Sequence, residues 1–133
     1  MGVISRGDPA GDLSGRADID RLVRAFYERA LADPILEPVF EVLAITGLDE
    51  HLIVVGDFWE QILFRTTRYD GSFLPVHRAL HGRHGLSPVR FERWLELWTS
   101  TVDTHFTGGV NAERAKSKAA AMARSLERSL RSP

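Results

Sequence analysis

Cysteine is absent from the 133 residues. That excludes disulfides, thiolate metal sites, cysteine nucleophiles and thiolate ligation of any iron centre. No uninterrupted apolar segment is long enough to span a bilayer. The first stretch, Met1 to Gly15, carries Arg6, Asp8 and Asp12 among glycines, where a signal peptide would need an apolar run. Charge of one sign is lacking too. With 17 basic against 18 acidic residues, no strong field points to nucleic acid or an anionic membrane. Convincing period-2 alternation is also missing, so strands are not expected. These absences leave a soluble, cytoplasmic, all-α chain of one domain, with neither nucleic acid nor membrane as partner.

What is present is helical periodicity over a 44% hydrophobic composition, enough to build a core. Residues 1–17 are rich in Gly, Asp, Ser and Arg and read as a disordered or loosely ordered tail, with the folded domain spanning 18–133. Asp18 is placed to cap a first helix whose apolar face is Ile19, Leu22, Val23, Phe26, Tyr27 and Ala30. Asp33-Pro34 stops it, and Pro34 opens a short turn ending near Phe40. After the break at Gly47, a longer helix from Leu48 turns His51, Val55, Phe58 and Ile62 inward, with Trp59 beside them. Thr66 to Ser72 reads as a loop, and Pro75 to His81 as a short helical piece ended by Gly82 and Gly85. Ser87-Pro88 is a helix start, a capping hydroxyl followed by proline, for a face of Phe91, Trp94, Leu95, Trp98 and Val102. Gly108-Gly109 ends that helix. Asn111 can cap the last one, whose stripe is Ala115, Ala119, Met122, Ala123, Leu126 and Leu130. The basic residues Arg114, Lys116, Lys118, Arg124, Arg128 and Arg131 on this helix read first as a solvated face and second as a partner surface.

The histidines are His51, His77, His81, His84 and His105. His51 shares a face with Val55 and Phe58, where an ionisable ring costs free energy unless something bonds it. Taken alone, it reads as a core-edge histidine reaching water or a carbonyl. His77 is flanked by Leu74 and Leu80 on a helix too short to be stable by itself, so an anchor such as a metal–imidazole bond would suit it. His81 stands four residues on, which leaves a His-x3-His zinc pair open; no Glu or Asp between or just after them completes a hydrolytic site. His84 looks exposed between glycines, and His105 sits near a helix end where a cation is favoured. Tyr27 and Trp94 both lie on inward faces and carry polar tips that need partners.

Several ordered segments carry a resemblance: Phe26-Tyr27-Glu28, His51-Leu52 followed by Phe58-Trp59, Tyr69-Asp70-Gly71 leading to Leu74-Pro75-Val76-His77, and Phe91 to Leu97. In this order, over about residues 18–130, the chain resembles the truncated haemoglobins, specifically their third group. The early glycine pairs that mark the other groups are absent, which favours the third. The resemblance implies a two-over-two helical sandwich around haem b. It implies that His77 is the proximal iron ligand, Tyr27 a distal tyrosine facing the bound gas, His51 the distal histidine and Trp94 a distal tryptophan. Val55 and Phe58 would line the haem.

The same resemblance implies binding of oxygen, nitric oxide, carbon monoxide or peroxide. A polar distal set suits nitric oxide or peroxide chemistry more than oxygen delivery, with an unidentified reductase as electron donor and a monomer or weak homodimer as the assembly. Two other readings stay open. One is a haem-based sensor or electron-transfer module in which His51 also ligates iron. The other is a cofactor-free helical interaction domain.

Overall fold

The computed structural model describes residues 11–41, 47–65 and 86–131, and side chains as far as residue 129. Five helices are described: α1 (Arg16–Ala32), α2 (Glu37–Phe40), α3 (Leu48–Phe64), α4 (Pro88–His105) and α5 (Val110–Arg131). There is no strand among the described residues, so the all-α expectation holds for them. None of these helices is long and apolar enough to cross a membrane. The expected loop from Thr66 and short helix from Pro75 lie outside the described residues.

α1 is the central element. It packs on α3 and α4, α4 packs on α5, and α3 also touches α5. The six residues whose spacing marked its apolar face are its buried residues, from Ile19 at 0% exposed to Tyr27 at 6%. Burying an apolar side chain of this size stabilises by roughly 1.5–3 kcal/mol each, so this one stripe holds the core together.

The start of α1 differs from the expectation. The helix begins at Arg16 after Gly15, and Asp18 lies in its first turn. Its carboxylate accepts bonds from the Ser14 backbone N–H at 2.8 Å and the Ser14 hydroxyl at 2.9 Å. Those bonds tie the residue before the N-cap Gly15 to the first turn, while no side chain caps the helix start itself. The segment before it is also not loose from Gly11 onward. Leu13 is 1% exposed in the core, and Asp12 accepts bonds from the backbone N–H groups of Asn111 at 2.9 Å and Ala112 at 2.7 Å. Asp12 therefore caps α5, while Asn111, expected in that role, donates its side-chain amide to the Leu13 carbonyl at 2.9 Å. A carboxylate suits this end because a helix N-terminus concentrates unpaired N–H groups and positive potential. Gly109, at φ +138°, makes room for it: a Cβ there would lie 2.6 Å from the Asp12 Cβ.

α2 opens with Pro38 in its first turn, not with Pro34. Asp33 and Pro34 instead begin the turn before it. The Asp33 side chain accepts from Ile35 N–H at 3.0 Å, and its carbonyl accepts from Glu37 N–H at 2.8 Å. Arg93 of α4 donates to the same carboxylate at 2.6 Å. Burial alone would raise the Asp33 pKa, but the Arg93 bond and the backbone donors outweigh it and hold the carboxyl below its ordinary 3.8. A lowered folded-state value means stability that is fully present above the unfolded pKa and lost as pH falls through the folded one. Asp33→Asn is expected to flatten this part of the acid limb, seen as urea midpoints that change less than wild type below about pH 4.

α3 docks on α1 through a clamp built on Arg16. Its guanidinium donates to Asp57 at 2.6 Å, to Glu60 at 3.0 Å and to the Ile53 carbonyl at 3.1 Å, while Nε donates to Asp20 at 2.7 Å. Glu60 is only 8% exposed, and a buried carboxylate of this kind needs such a partner. Gly56 permits the approach, since a Cβ there would lie 2.6 Å from Arg16 Nη2. A consequence is that the buried stripe of α3 is Leu52, Gly56, Trp59, Glu60 and Leu63. His51, Val55, Phe58 and Ile62, expected to face inward, are half-buried beside it. The two stripes are about 100° apart, one residue step around the helix.

Candidate functional site

Tyr27 comes from the middle of α1 and His51 from the first turns of α3, and the packing of these helices brings the two side chains together. The Tyr27 hydroxyl and His51 Nε2 are 2.8 Å apart, a full hydrogen bond between side chains 24 residues apart. Their rings meet edge to face at 5.2 Å. Phe26 and Phe40 also stand edge-on to the Tyr27 ring, at 5.2 and 5.4 Å, so its orientation is fixed on several sides. Phe40 carried no functional weight in the sequence; only its closeness to α2's end was visible there.

Burial pushes the Tyr27 pKa well above its ordinary 10.0, because a phenolate would be stranded without water. The hydroxyl thus keeps its proton at any physiological pH. It either donates to His51 Nε2 when the imidazole proton is on Nδ1, or accepts from Nε2–H and turns its own proton elsewhere.

Trp94 of α4 is half-buried. Its ring lies parallel to Trp98, 6.1 Å away with 2° between planes, and edge-on to Phe26 at 6.0 Å. Phe26 is the ring that contacts both Tyr27 and Trp94. Trp98 donates its indole N–H to the Ala115 carbonyl at 3.1 Å. The Trp94 indole N–H has no hydrogen-bond partner among the described residues. It is a donor held in place by stacking and left unspent.

No protein-family model matches the chain, and the curated proteins and solved structures give no match either.

Half-buried apolar side chains pack against the core on three helices: Val55, Phe58 and Ile62 of α3, Leu95 of α4 and Met122 of α5. No group of three or more His, Asp or Glu fit to hold a metal occurs among the described residues. His77, with His81 and His84, lies outside them. His105 is half-buried in the last turn of α4. An open groove of about 610 Å³ runs along α4, with Arg29, Glu92, Arg93, Leu95 and Asp103 among its lining residues. It includes none of Tyr27, His51 or Trp94, and it is a surface furrow apart from the site.

The arrangement can do one kind of chemistry well. It offers a protonated phenol hydrogen-bonded to an imidazole and, across the Phe26 ring, an indole N–H. Such fixed donors stabilise negative charge developing on a small ligand without reorganising.

Proposed function

We propose that the chain is a haem-binding globin of the truncated kind, folded as a two-over-two helical sandwich, that binds diatomic gases. The observation that carries the reading is the buried Tyr27–His51 pair at 2.8 Å, next to a stripe of α3 that the described helices cover only in part.

The residues present fit a haem. A porphyrin needs apolar contact on its faces, which Val55 and Phe58 offer as half-buried side chains below His51 on the same stripe. The iron needs an imidazole, which this reading assigns to His77. A haem held there would supply an iron able to bind oxygen, nitric oxide, carbon monoxide or peroxide. Tyr27 and Trp94 then serve as fixed donors toward the ligand, the first through a hydroxyl that burial keeps protonated, the second through an N–H left unpartnered. His51 sets which way the Tyr27 proton points. Donors of this strength favour retention of the ligand and chemistry upon it, nitric oxide dioxygenation or peroxide breakdown, over oxygen delivery. In this reading the partners are the gases themselves and a separate reductase.

The decisive experiment is the ultraviolet–visible spectrum of protein expressed with haem supplied, ferric and ferrous. A Soret band with a five-coordinate ferrous spectrum is expected; its absence leaves the helical interaction domain as the better reading. A hydrogen bond to a charged acceptor contributes roughly 1.5–3 kcal/mol. Tyr27→Phe is therefore expected to speed oxygen dissociation about tenfold or more in stopped-flow measurements. An unchanged rate removes Tyr27 from the distal role.

A further inference from the structure

The described cations are not evenly paired. Arg16, Arg21, Arg24, Arg93 and Lys116 each form an ion pair, and Arg29 and Arg90 donate to Thr101 and the Ile35 carbonyl. Arg65, Arg114, Lys118 and Arg124 have no such contact, and three of these four lie on α5. At 100° per residue, Arg114, Lys118 and Arg124 occupy one outward sector of about 120°, and they span about 15 Å along the axis. Ser117, Ala121 and Ser125 lie between them, all exposed, so the surface is low and flat. Both acidic residues of α5, Glu113 and Glu127, lie outside that sector, and Glu113 is bound to Lys116.

A solvated helix face is the ordinary explanation for such charges, with the helix dipole favouring cations near the C-terminus. The dipole does not account for Arg114 and Lys118, which sit in the N-terminal half of α5. α5 carries six of the 17 basic residues and only two of the 18 acidic ones, so the chain's near-neutral balance conceals a separation of charge.

We propose that the outer face of α5 docks an acidic helical surface of a partner protein. Small side chains let a second helix come close, and unpaired cations spaced over three turns match carboxylates at helical spacing on that partner. A second copy of α5 does not fit, because cations would meet cations. A membrane does not fit either: the apolar stripe of α5, Ala115, Ala119 and Leu126, is buried inside the protein and has nothing to insert.

The test uses the full chain and a fluorescently labelled acidic helical peptide with Glu at three- and four-residue spacing, read by anisotropy at about 50 mM salt. The expected result is saturable binding that weakens with salt. The triple variant Arg114→Gln, Lys118→Gln, Arg124→Gln should lose about tenfold, as expected from three exposed ion pairs. Arg65→Gln, which removes an unpaired cation elsewhere, should leave binding unchanged. Circular dichroism checks that the triple variant keeps its helices; if it does not, Arg114→Gln and Arg124→Gln singly should each lose about twofold. No peptide binding, equal loss with Arg65→Gln, or tighter binding to duplex DNA or phosphatidylserine vesicles overturns the proposal. None of these readouts depends on haem.

Discussion

Replacing His77 by glycine is expected to abolish haem retention. In the proposed reading the His77 imidazole would be the side chain that holds the iron, Val55 and Phe58 would give only apolar contact, and Tyr27, His51 and Trp94 would act toward the bound ligand. Loss of an outer partner of a metal ligand already costs roughly ten- to a hundredfold in affinity, and loss of the ligand itself should cost more. The measurement is the ratio of Soret to protein absorbance after purification with haem supplied, followed by the ferrous spectrum. Added imidazole should restore part of the band, since glycine leaves space for it. His81→Gly is the control, and it should keep the wild-type spectrum. Should His77→Gly hold haem with an unchanged ferrous spectrum, the ligand assignment is wrong. If His81→Gly is equally damaging, the assignment of the iron ligand to His77 alone is wrong.

The second large effect concerns stability and needs no cofactor. Trp98 is 1% exposed, stacks on Trp59 at 4.5 Å and on Trp94 at 6.1 Å, and donates its indole N–H to Ala115. It therefore joins α3, α4 and α5, with Phe26 of α1 edge-on at 5.5 Å. Trp98→Ala opens a cavity where the four longer helices meet, at a cost of about 3–5 kcal/mol. That is a large part of the 5–15 kcal/mol that holds a typical domain. Trp98→Phe keeps most of the ring contact and loses the hydrogen bond, so about 1–2 kcal/mol is expected. Urea unfolding at neutral pH measures both. A loss below about 1 kcal/mol for Trp98→Ala would show that the junction repacks and that the stack is not what joins the helices.

How far the residues alone disclose the molecule differs from helix to helix. The packing face of α1 was legible, though not its start: its apolar residues form one stripe, and that stripe is the buried one. α3 was legible as a helix but not in phase. It is apolar over most of its circumference, with Ile53 and Val54 59% and 47% exposed, so periodicity does not single out the face that packs. The phase is set by Arg16 reaching across to Asp57 and Glu60, a contact 41 and 44 residues long that no local pattern records. In α4, Leu97 and Thr101 are buried but escaped the expected face, because Trp94, Leu95 and Phe91 made a more obvious one and are only half-buried. The Tyr27–His51 pair was suggested by inward-facing positions on two helices; the bond itself became visible only with their packing. Trp94 was marked as a donor, but that its N–H lacks a partner among the described residues is a fact of three dimensions.

The Asp12 cap on α5 has a consequence for the order of folding. Asp12 and Ala112 are 100 residues apart, so closing that loop is entropically expensive and returns nothing until the intervening helices have gathered. During synthesis, Asp12 emerges 100 residues ahead of Ala112 and waits for that whole stretch. α1 can find α3 well before α5 exists, whereas the first turn of α5 receives its carboxylate only at the close of assembly. The cap is a finishing latch: it contributes to how slowly the native protein opens, not to how quickly it forms.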